Sequence, residues 1–287
     1  LQPGRQRLGL PLRQRLLMDL DFMELELTDS CDLECVHCYN DSGPLVKHGP
    51  MMGADWIDAI DQGASLGVRR VQLIGGEPTR HPNFPAILNH AVAAGLSVSV
   101  FTNLTHIKDA WWPLLARPGV TISTSYYSDA ASEHDRITTR TGSHTRTRAN
   151  IVKSVARGIQ VKAAITTVLP EQRVEEARVE LEALGVEKVT VDGVRQVGRG
   201  GGTCDVNELC GLCGLTRAAI LPDGIVVPCV LGRWLKAGNV RVTPLAEILA
   251  GPMWQRAVAQ VPRKPRPQCL PQAGRMQKER EKVHAHL

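Results

Sequence analysis

The sequence predicts an α/β protein built on six β/α units with a parallel sheet, followed by a small cysteine-rich extension. Three observations carry this expectation. Strand-like and helix-like runs alternate six times over about 175 residues, and parallel strands need such crossover connections. The loops after Thr28, Ile74 and Ser125 all carry polar or metal-binding residues, which gathers the chemistry at the carboxyl ends of the strands. The eight cysteines fall in two groups, one near the start and one after the last unit.

Phe22–Thr28 alternates apolar and polar residues as a strand does and runs directly into the first cysteine group. Ala54–Leu66 has helical periodicity, and the short apolar strand Val71–Ile74 is punctuated by Gly75-Gly76. The alternation continues with a helix over Asn83–Ala94, a strand over Ser97–Phe101, a helix over Lys108–Ala116 and a strand over Val120–Ser125. Ser143–Arg157 reads as helix, Val161–Val168 as strand, Glu171–Leu184 as helix and Val186–Val191 as strand. A full eight-unit barrel needs more chain than this. Gly198–Gly202 (GRGGG) reads as a flexible hinge. Asp223-Gly224, between two apolar runs, predicts a hairpin. The chain thus divides into a basic extension (1–20), the α/β unit (21–197), a glycine-rich linker (198–203), a cysteine-bearing domain (204–270) and a charged tail (271–287).

With 43% hydrophobic and 22% charged residues over 287 positions, the chain is neither disordered nor a disulfide scaffold. The uncharged stretch Ala86–Ile107 contains Asn89, His90, Ser97, Ser99, Asn103 and His106 and is too polar to span a membrane. Leu1–Leu20 is broken by Arg5, Arg7, Arg13 and Arg15 and has no signal-peptide core. A cytoplasmic location is expected. The net charge of +5 is uneven: Leu1–Leu20 carries +3, Pro252–Leu287 carries +6, and the body between carries −4. Only Trp254 is interleaved with the charges of the tail, which reads as a solvated segment rather than a nucleic-acid contact.

In a reducing compartment, clustered cysteines point to metal binding or catalysis rather than to disulfides. Cys31, Cys35 and Cys38 lie within eight residues; Cys204, Cys210, Cys213, Cys229 and Cys269 come late. The first group, C-x3-C-x2-C, offers three thiolates from one loop. A structural zinc site closes with four ligands, and His37 is poorly placed beside Cys38 to be the fourth. An iron–sulfur cluster held by three cysteines leaves one iron free for another ligand. Zinc remains the alternative for both groups, Cys210-x2-Cys213 being a zinc half-site.

The run Cys31-x3-Cys35-x2-Cys38-Tyr39 after a strand, with Gly75-Gly76-Glu77-Pro78 at the end of the next strand, resembles the signature of the radical SAM enzymes. The resemblance implies a partial (β/α)6 TIM-like barrel whose three cysteines hold a 4Fe-4S cluster, with S-adenosylmethionine (SAM) chelating the remaining iron. It implies further that Gly75, Gly76 and Glu77 meet the methionine amino group, where Glu77 offers an anionic acceptor. Ser123 and Ser125 would lie near the SAM ribose or carboxylate. Arg136, with Arg140 as substitute, would pair with the SAM carboxylate, and Thr167-Val168 would touch adenine or ribose. Cys213, then ten residues, Gly224, four residues and Cys229 resemble the opening of the SPASM and twitch extensions of that family. These carry auxiliary clusters. This chain lacks the dense later cysteines of a complete SPASM domain, so one auxiliary 4Fe-4S cluster is expected, on Cys210, Cys213, Cys229 and either Cys204 or Cys269.

The implied activity is radical modification of a ribosomally made peptide or protein: crosslinking, oxidation or epimerisation. A small-molecule precursor is the alternative substrate, and a zinc- or cluster-bearing nucleic-acid-binding module is the alternative of another class. The implied partners are the peptide, a reductant such as ferredoxin or flavodoxin, and a separate leader-binding protein, because Leu1–Leu20 is too short to be a leader-binding domain. No residue is singled out as catalytic acid, base or hydrogen donor.

Overall fold

Alternation along short strands decides which face of the sheet meets the helices and which is left to line a site. The computed structural model describes residues 20–263. In chain order it forms β1 (Phe22–Glu26), α1 (Gly53–Ser65), β2 (Arg70–Ile74), α2 (Phe84–Ala93), β3 (Ser97–Phe101), α3 (Trp112–Leu115) and β4 (Val120–Ser125). There follow α4 (Ala131–Thr138), α5 (Ser143–Val155), β5 (Val161–Thr167), α6 (Val174–Ala183) and β6 (Lys188–Gly193). The extension adds β7 (Arg217–Ile220), β8 (Ile225–Val227), β9 (Gly238–Asn239), α7 (Leu245–Ala250) and α8 (Pro252–Ala259).

All nine strands form one sheet, in the order β6-β5-β4-β3-β2-β1-β7-β8-β9. Strands β1 to β6 pair parallel with their neighbours, as six crossover units require. β7 joins the free edge of β1 in parallel, and the β7–β8 hairpin predicted from Asp223-Gly224 is present. The extension therefore continues the barrel sheet instead of standing apart from it.

Met23, Val71, Val98 and Val120 stand in register across β1 to β4. They pack against Trp56, Ile60, Phe84, Ile87, Ile151 and Leu181 from the helices to form the main core. The opposite face is more polar: Glu24, Gln72 and Ser99 form one row, and Ser123, Lys162 and Lys188, next to Phe101, another. One face of the sheet buries apolar surface, and the other forms the lumen in which chemistry is possible.

The structure departs from expectation at three places. Helix α4 was not anticipated; its sequence, ASEHDRIT, has a narrow apolar stripe, and it buries only His134, Ile137 and Thr138. The helix expected over 108–116 splits into a 3₁₀ turn, Asp109–Trp111, and the single turn of α3, with Pro113 in the first turn, where its missing N–H is tolerated. The glycine run expected to be a flexible hinge is a closed 3₁₀ turn: the Gly200 N–H donates to Val197 O at 3.0 Å, Gly202 to Gly198 O at 2.8 Å, and Thr203 to Gln196 O at 2.9 Å. Among the described residues no helix is long and apolar enough to cross a membrane. Cys269, the charged tail 271–287 and all but the last residue of the basic extension lie outside the described residues.

Candidate functional site

Strand β1 delivers the first cysteine group to the carboxyl end of the sheet. The Leu27 N–H donates to Ile74 O at 2.7 Å, which holds the exit from β1 beside β2, and the Cys38 N–H closes a turn onto Cys35 O at 3.2 Å. From the other side, the end of α4 receives the loop: the Glu34 and Val36 N–H groups donate to the carbonyls of Thr138 and Ile137. These are carbonyls of the last helical turn, left without intrahelical partners. Cys31, Cys35 and Cys38 all line one cavity of about 260 Å³. Burial is the main cause that pushes all three thiols up, with the neighbouring Cys38 adding to it at Cys35, which reaches about 12. A metal that replaces the thiol proton reverses that preference.

Gly75 and Gly76 line the same cavity. Their lack of a side chain is a packing requirement. A Cβ on Gly75 would stand 2.6 Å from Thr28 O, and one on Gly76 would stand 2.5 Å from Ser30 O and 2.8 Å from Asp29 O. This intimacy lets the Gly76 N–H reach Thr28 O at 2.6 Å and the Glu77 N–H reach Ser30 O at 2.9 Å. The glycine loop and the cysteine loop are thus one interlocked unit.

Glu77 differs from the role implied by the resemblance. Its carboxylate is 3% exposed and is not among the cavity-lining groups. Oε1 accepts from the Thr79 N–H (3.1 Å), the Thr79 hydroxyl (2.7 Å) and the Thr102 hydroxyl (2.8 Å), and Oε2 accepts from the Asn103 N–H at 2.8 Å. It pins the glycine loop to the end of β3. Burial and the nearby Asp32 push its pKa up to about 7 against the pull of these donors.

Tyr39 and Ser125 line the cavity as expected. The Tyr39 hydroxyl donates to Glu26 Oε1 at 3.0 Å. Ser123 does not line it; it hydrogen-bonds to Ser99 at 3.0 Å and faces a smaller recess beneath. Arg136 and Arg140 are exposed and absent from the cavity wall: α4 turns His134, Ile137 and Thr138 inward and leaves Arg136 on its solvent side, and Arg140 follows the helix at the surface. Val168 is likewise absent from the wall: its N–H is taken by Gln172 Oε1 at 2.6 Å, and Thr166 lines the cavity instead.

Several wall residues went unnoticed in the sequence. Asn103 donates to Asp32 Oδ1 at 2.8 Å and approaches Cys31 Sγ at 3.8 Å. His134 also lines the cavity, and burial holds its pKa down at about 4. Glu24 faces the lumen from β1, its pKa raised by burial and pulled back by Arg217 and the Val230 N–H. Asp192 and Arg195 pair at 2.6 Å on the rim near β6. The signal for Glu24 was the alternation in FMELELT, which sets Glu24 and Glu26 on one face.

The late cysteines form a second centre. Cys210, Cys213 and Cys229 are buried in an apolar cluster with Leu209, Leu221, Val227 and Leu235. The sulfurs of Cys210 and Cys213 are 4.0 Å apart. Hydrogen bonds to the thiols of Cys210 and Cys229 raise the Cys213 pKa. Cys204 is exposed and outside this cluster. Cys229 lines the main cavity together with Val230 and Leu231, so both cysteine groups reach one space. Among the described residues no three His, Cys, Asp or Glu side chains converge on a point suited to a single metal ion.

Residues 25–184 match the family model of the Radical SAM superfamily, and residues 210–271 match that of SPASM, an iron-sulfur cluster-binding domain. The chain is 33% identical over 152 residues to an AdoMet-dependent heme synthase of Methanosarcina barkeri, covering 53% of this chain and 43% of that protein. It is 33% identical over 141 residues to a PqqA peptide cyclase of Ruegeria pomeroyi, covering 48% of this chain and 37% of that one. The chain thus spans less than half the length of these curated relatives. In fold it is similar to Streptococcus suis SuiB bound to S-adenosylmethionine, with a TM-score of 0.70 and 16% identity over 83% of this chain and 68% of SuiB. Against SuiB bound to precursor peptide SuiA the TM-score is 0.69, at 16% identity over 83% of this chain and 66% of SuiB.

Proposed function

The chain belongs to the radical SAM superfamily, and from that premise we propose that it cleaves SAM reductively and uses the resulting radical to modify a ribosomally made peptide. The radical SAM domain implies a 4Fe-4S cluster and SAM, and the SPASM match implies auxiliary iron–sulfur chemistry. The donor set fits: three thiols from one loop, Cys31 buried and Cys35 and Cys38 half-buried, line a cavity with Gly75 and Gly76, and three more are buried in the extension. When bound, these groups supply a 5′-deoxyadenosyl radical able to take a hydrogen atom from an unactivated C–H bond.

The chain's own residues do the rest. Cys31, Cys35 and Cys38 would hold the first cluster, while Gly75, Gly76, Asn103, Tyr39 and Ser125 form the wall against which SAM would be oriented. Cys210, Cys213 and Cys229, with Cys204 or Cys269, would hold one auxiliary cluster; the first three are buried and Cys204 is exposed. An apolar cluster that includes Leu209, Leu221, Val227 and Leu235 surrounds Cys210, Cys213 and Cys229 and makes that side of the cavity apolar. Glu24 keeps a carboxyl group at the wall between the two centres, where it can hold a proton on Oε2 or accept the Val230 N–H there at 3.4 Å.

One observation carries the peptide reading: a single cavity is lined by the first cysteine group and by Cys229 of the second. The similarity to a PqqA peptide cyclase supports it. A leader-binding protein and a ferredoxin or flavodoxin reductant belong to the same proposal. The test is co-expression, and then anaerobic incubation, with a short peptide encoded beside this chain, read by mass spectrometry for loss of hydrogen or uptake of solvent deuterium. Modification that depends on Cys31 and Cys229 is the expected result. Stoichiometric zinc without SAM turnover would refute the proposal. The similarity to a heme synthase favours a second reading, the same chemistry on a small molecule. It predicts 5′-deoxyadenosine formation that is stimulated by a small-molecule precursor and not by peptide. The nucleic-acid-binding alternative does not account for a radical SAM match over residues 25–184.

A further inference from the structure

We propose that Arg199 is a positioning residue for the loop of Cys31, Cys35 and Cys38, and that its positive charge raises the reduction potential of the cluster held there. The inference rests on the assignment of those three cysteines to a cluster. It starts from the turn that joins the barrel to the extension. The Arg199 N–H donates to Cys38 O at 2.8 Å. Its guanidinium donates through Nε to Cys35 O at 2.9 Å and through Nη2 to Ser42 O at 2.7 Å. One residue thus ties together three points of the cysteine loop, two of them carbonyls of ligand residues.

The approach is built into the sequence. Gly198 has φ +56°, and a Cβ there would lie 2.4 Å from Cys38 O and 2.5 Å from Tyr39 O. Only glycine lets the turn lie against the cysteine loop at this distance. Val197, immediately before it, is 4% exposed and anchors the turn on that side. On the far side, the Thr203 N–H closes onto Gln196 O at 2.9 Å. The strap is therefore fixed at both ends, as a positioning element requires.

Among the described residues Arg199 has no carboxylate within ion-pair distance; its side-chain hydrogen bonds go to carbonyl oxygens, which leave the cation uncompensated. The guanidinium is held 2.9 Å from the carbonyl oxygen of Cys35, which places its charge beside the loop of ligand residues. Reduction adds one negative charge to a thiolate-bound cluster, and a nearby cation stabilises that charge. A planar guanidinium fork holds two carbonyls in a more fixed geometry than the rotatable donors of an ammonium do.

The experiment compares wild type with Arg199→Gln and Arg199→Lys after anaerobic reconstitution. The midpoint potential is read by redox titration of the electron paramagnetic resonance signal that SAM perturbs, which isolates the first cluster from any auxiliary one. Arg199→Gln is expected to shift the potential to more negative values, and Arg199→Lys to leave it near wild type. Both should release iron to a chelator faster than wild type, because neither keeps the fork. Equal potentials in all three proteins would overturn the charge claim, and equal rates of iron release would overturn the positioning claim. If Arg199→Gln does not fold, Arg199→Lys still decides the second claim by its rate of iron release. A wild-type protein that holds no iron dependent on Cys31, Cys35 and Cys38 would instead mean that the cluster assignment itself fails, which is a different result from wild-type-like variants.

Discussion

Replacing Glu77 by Gln separates a structural role from a ligand-binding one. In the structure the carboxylate accepts four hydrogen bonds, three on Oε1 and one on Oε2, at 2.7–3.1 Å. The Gln carbonyl can take over the three on one side. Its NH₂ must then face the Asn103 N–H, donor against donor, in a site 3% exposed. Above pH 7, where the carboxylate is ionised, one charge-assisted bond is lost, worth about 1.5–3 kcal/mol, and removal of the repulsion from Asp32 offsets part of it. A net destabilisation of about 1–3 kcal/mol follows, read as a fall in melting temperature of roughly 2–4 °C per kcal/mol for a chain of this size. The assay is thermal and urea unfolding of the apo-protein, in parallel with SAM binding to the reconstituted protein. The reasoning expects lower stability with a smaller or secondary loss of SAM affinity. Unchanged stability with SAM affinity reduced tenfold or more would refute it and return Glu77 to the ammonium-binding role that its motif implies.

Three other outcomes are expected. Replacing Cys31, Cys35 and Cys38 together by Ala should remove about four irons and abolish formation of 5′-deoxyadenosine, measured by chromatography. Cys213→Ala or Cys229→Ala should remove about four irons while sparing SAM cleavage uncoupled from substrate; because Cys204 is exposed and apart from the buried trio, Cys204→Ala should keep wild-type iron, leaving Cys269 as the fourth ligand to test. His134, held by burial at about 4 against an ordinary 6.5, must stay neutral in the folded state. The unfolded chain therefore binds the extra proton first, and stability falls as pH drops from about 6.5 to 4, by on the order of 3 kcal/mol from this group. His134→Gln should flatten the pH dependence of the melting temperature over that window, and an unchanged slope would show that other groups carry it.

The parts legible in the sequence were those written in local pattern. Ser97–Phe101 and Val120–Ser125 are strands at the very bounds that their alternation indicates. C-x3-C-x2-C is read from its spacing, because loop ligands close in sequence are close in space, whereas Gly75-Gly76 is read from its resemblance to the family motif. What was not legible depends on contacts distant in sequence. Nothing around Arg199 announces that it will meet Cys35, 164 positions away. A run of four glycines and one arginine looks like a hinge until the loop it packs on is known. Glu77 sits in a ligand-binding motif, yet Thr102 and Asn103 from the end of β3 capture its carboxylate. Arg136 lies two residues after the buried His134, and the helical turn carries it to the opposite face.

The pairing of β7 with β1 is what joins the two cysteine centres. β1 is the strand that leads into the first cysteine loop, and β7 leads through its hairpin to Cys229. Parallel register sets Glu24 beside Ala219, and the Val230 N–H then comes within 3.4 Å of Glu24 Oε2. Arg233, a few residues on, pairs with Glu26, whose carboxylate is fully buried, and lies 3.4 Å from Asp29 just before the cysteine loop. An uncompensated buried carboxylate is costly, so Glu26 needs the extension to be folded, and the extension needs β1 as its sheet edge. That mutual dependence explains why β1 carries acidic residues on the face that a barrel would otherwise fill with apolar ones. It also means that the two cysteine groups are held in one relative geometry by the sheet itself, as a cavity that both must line requires.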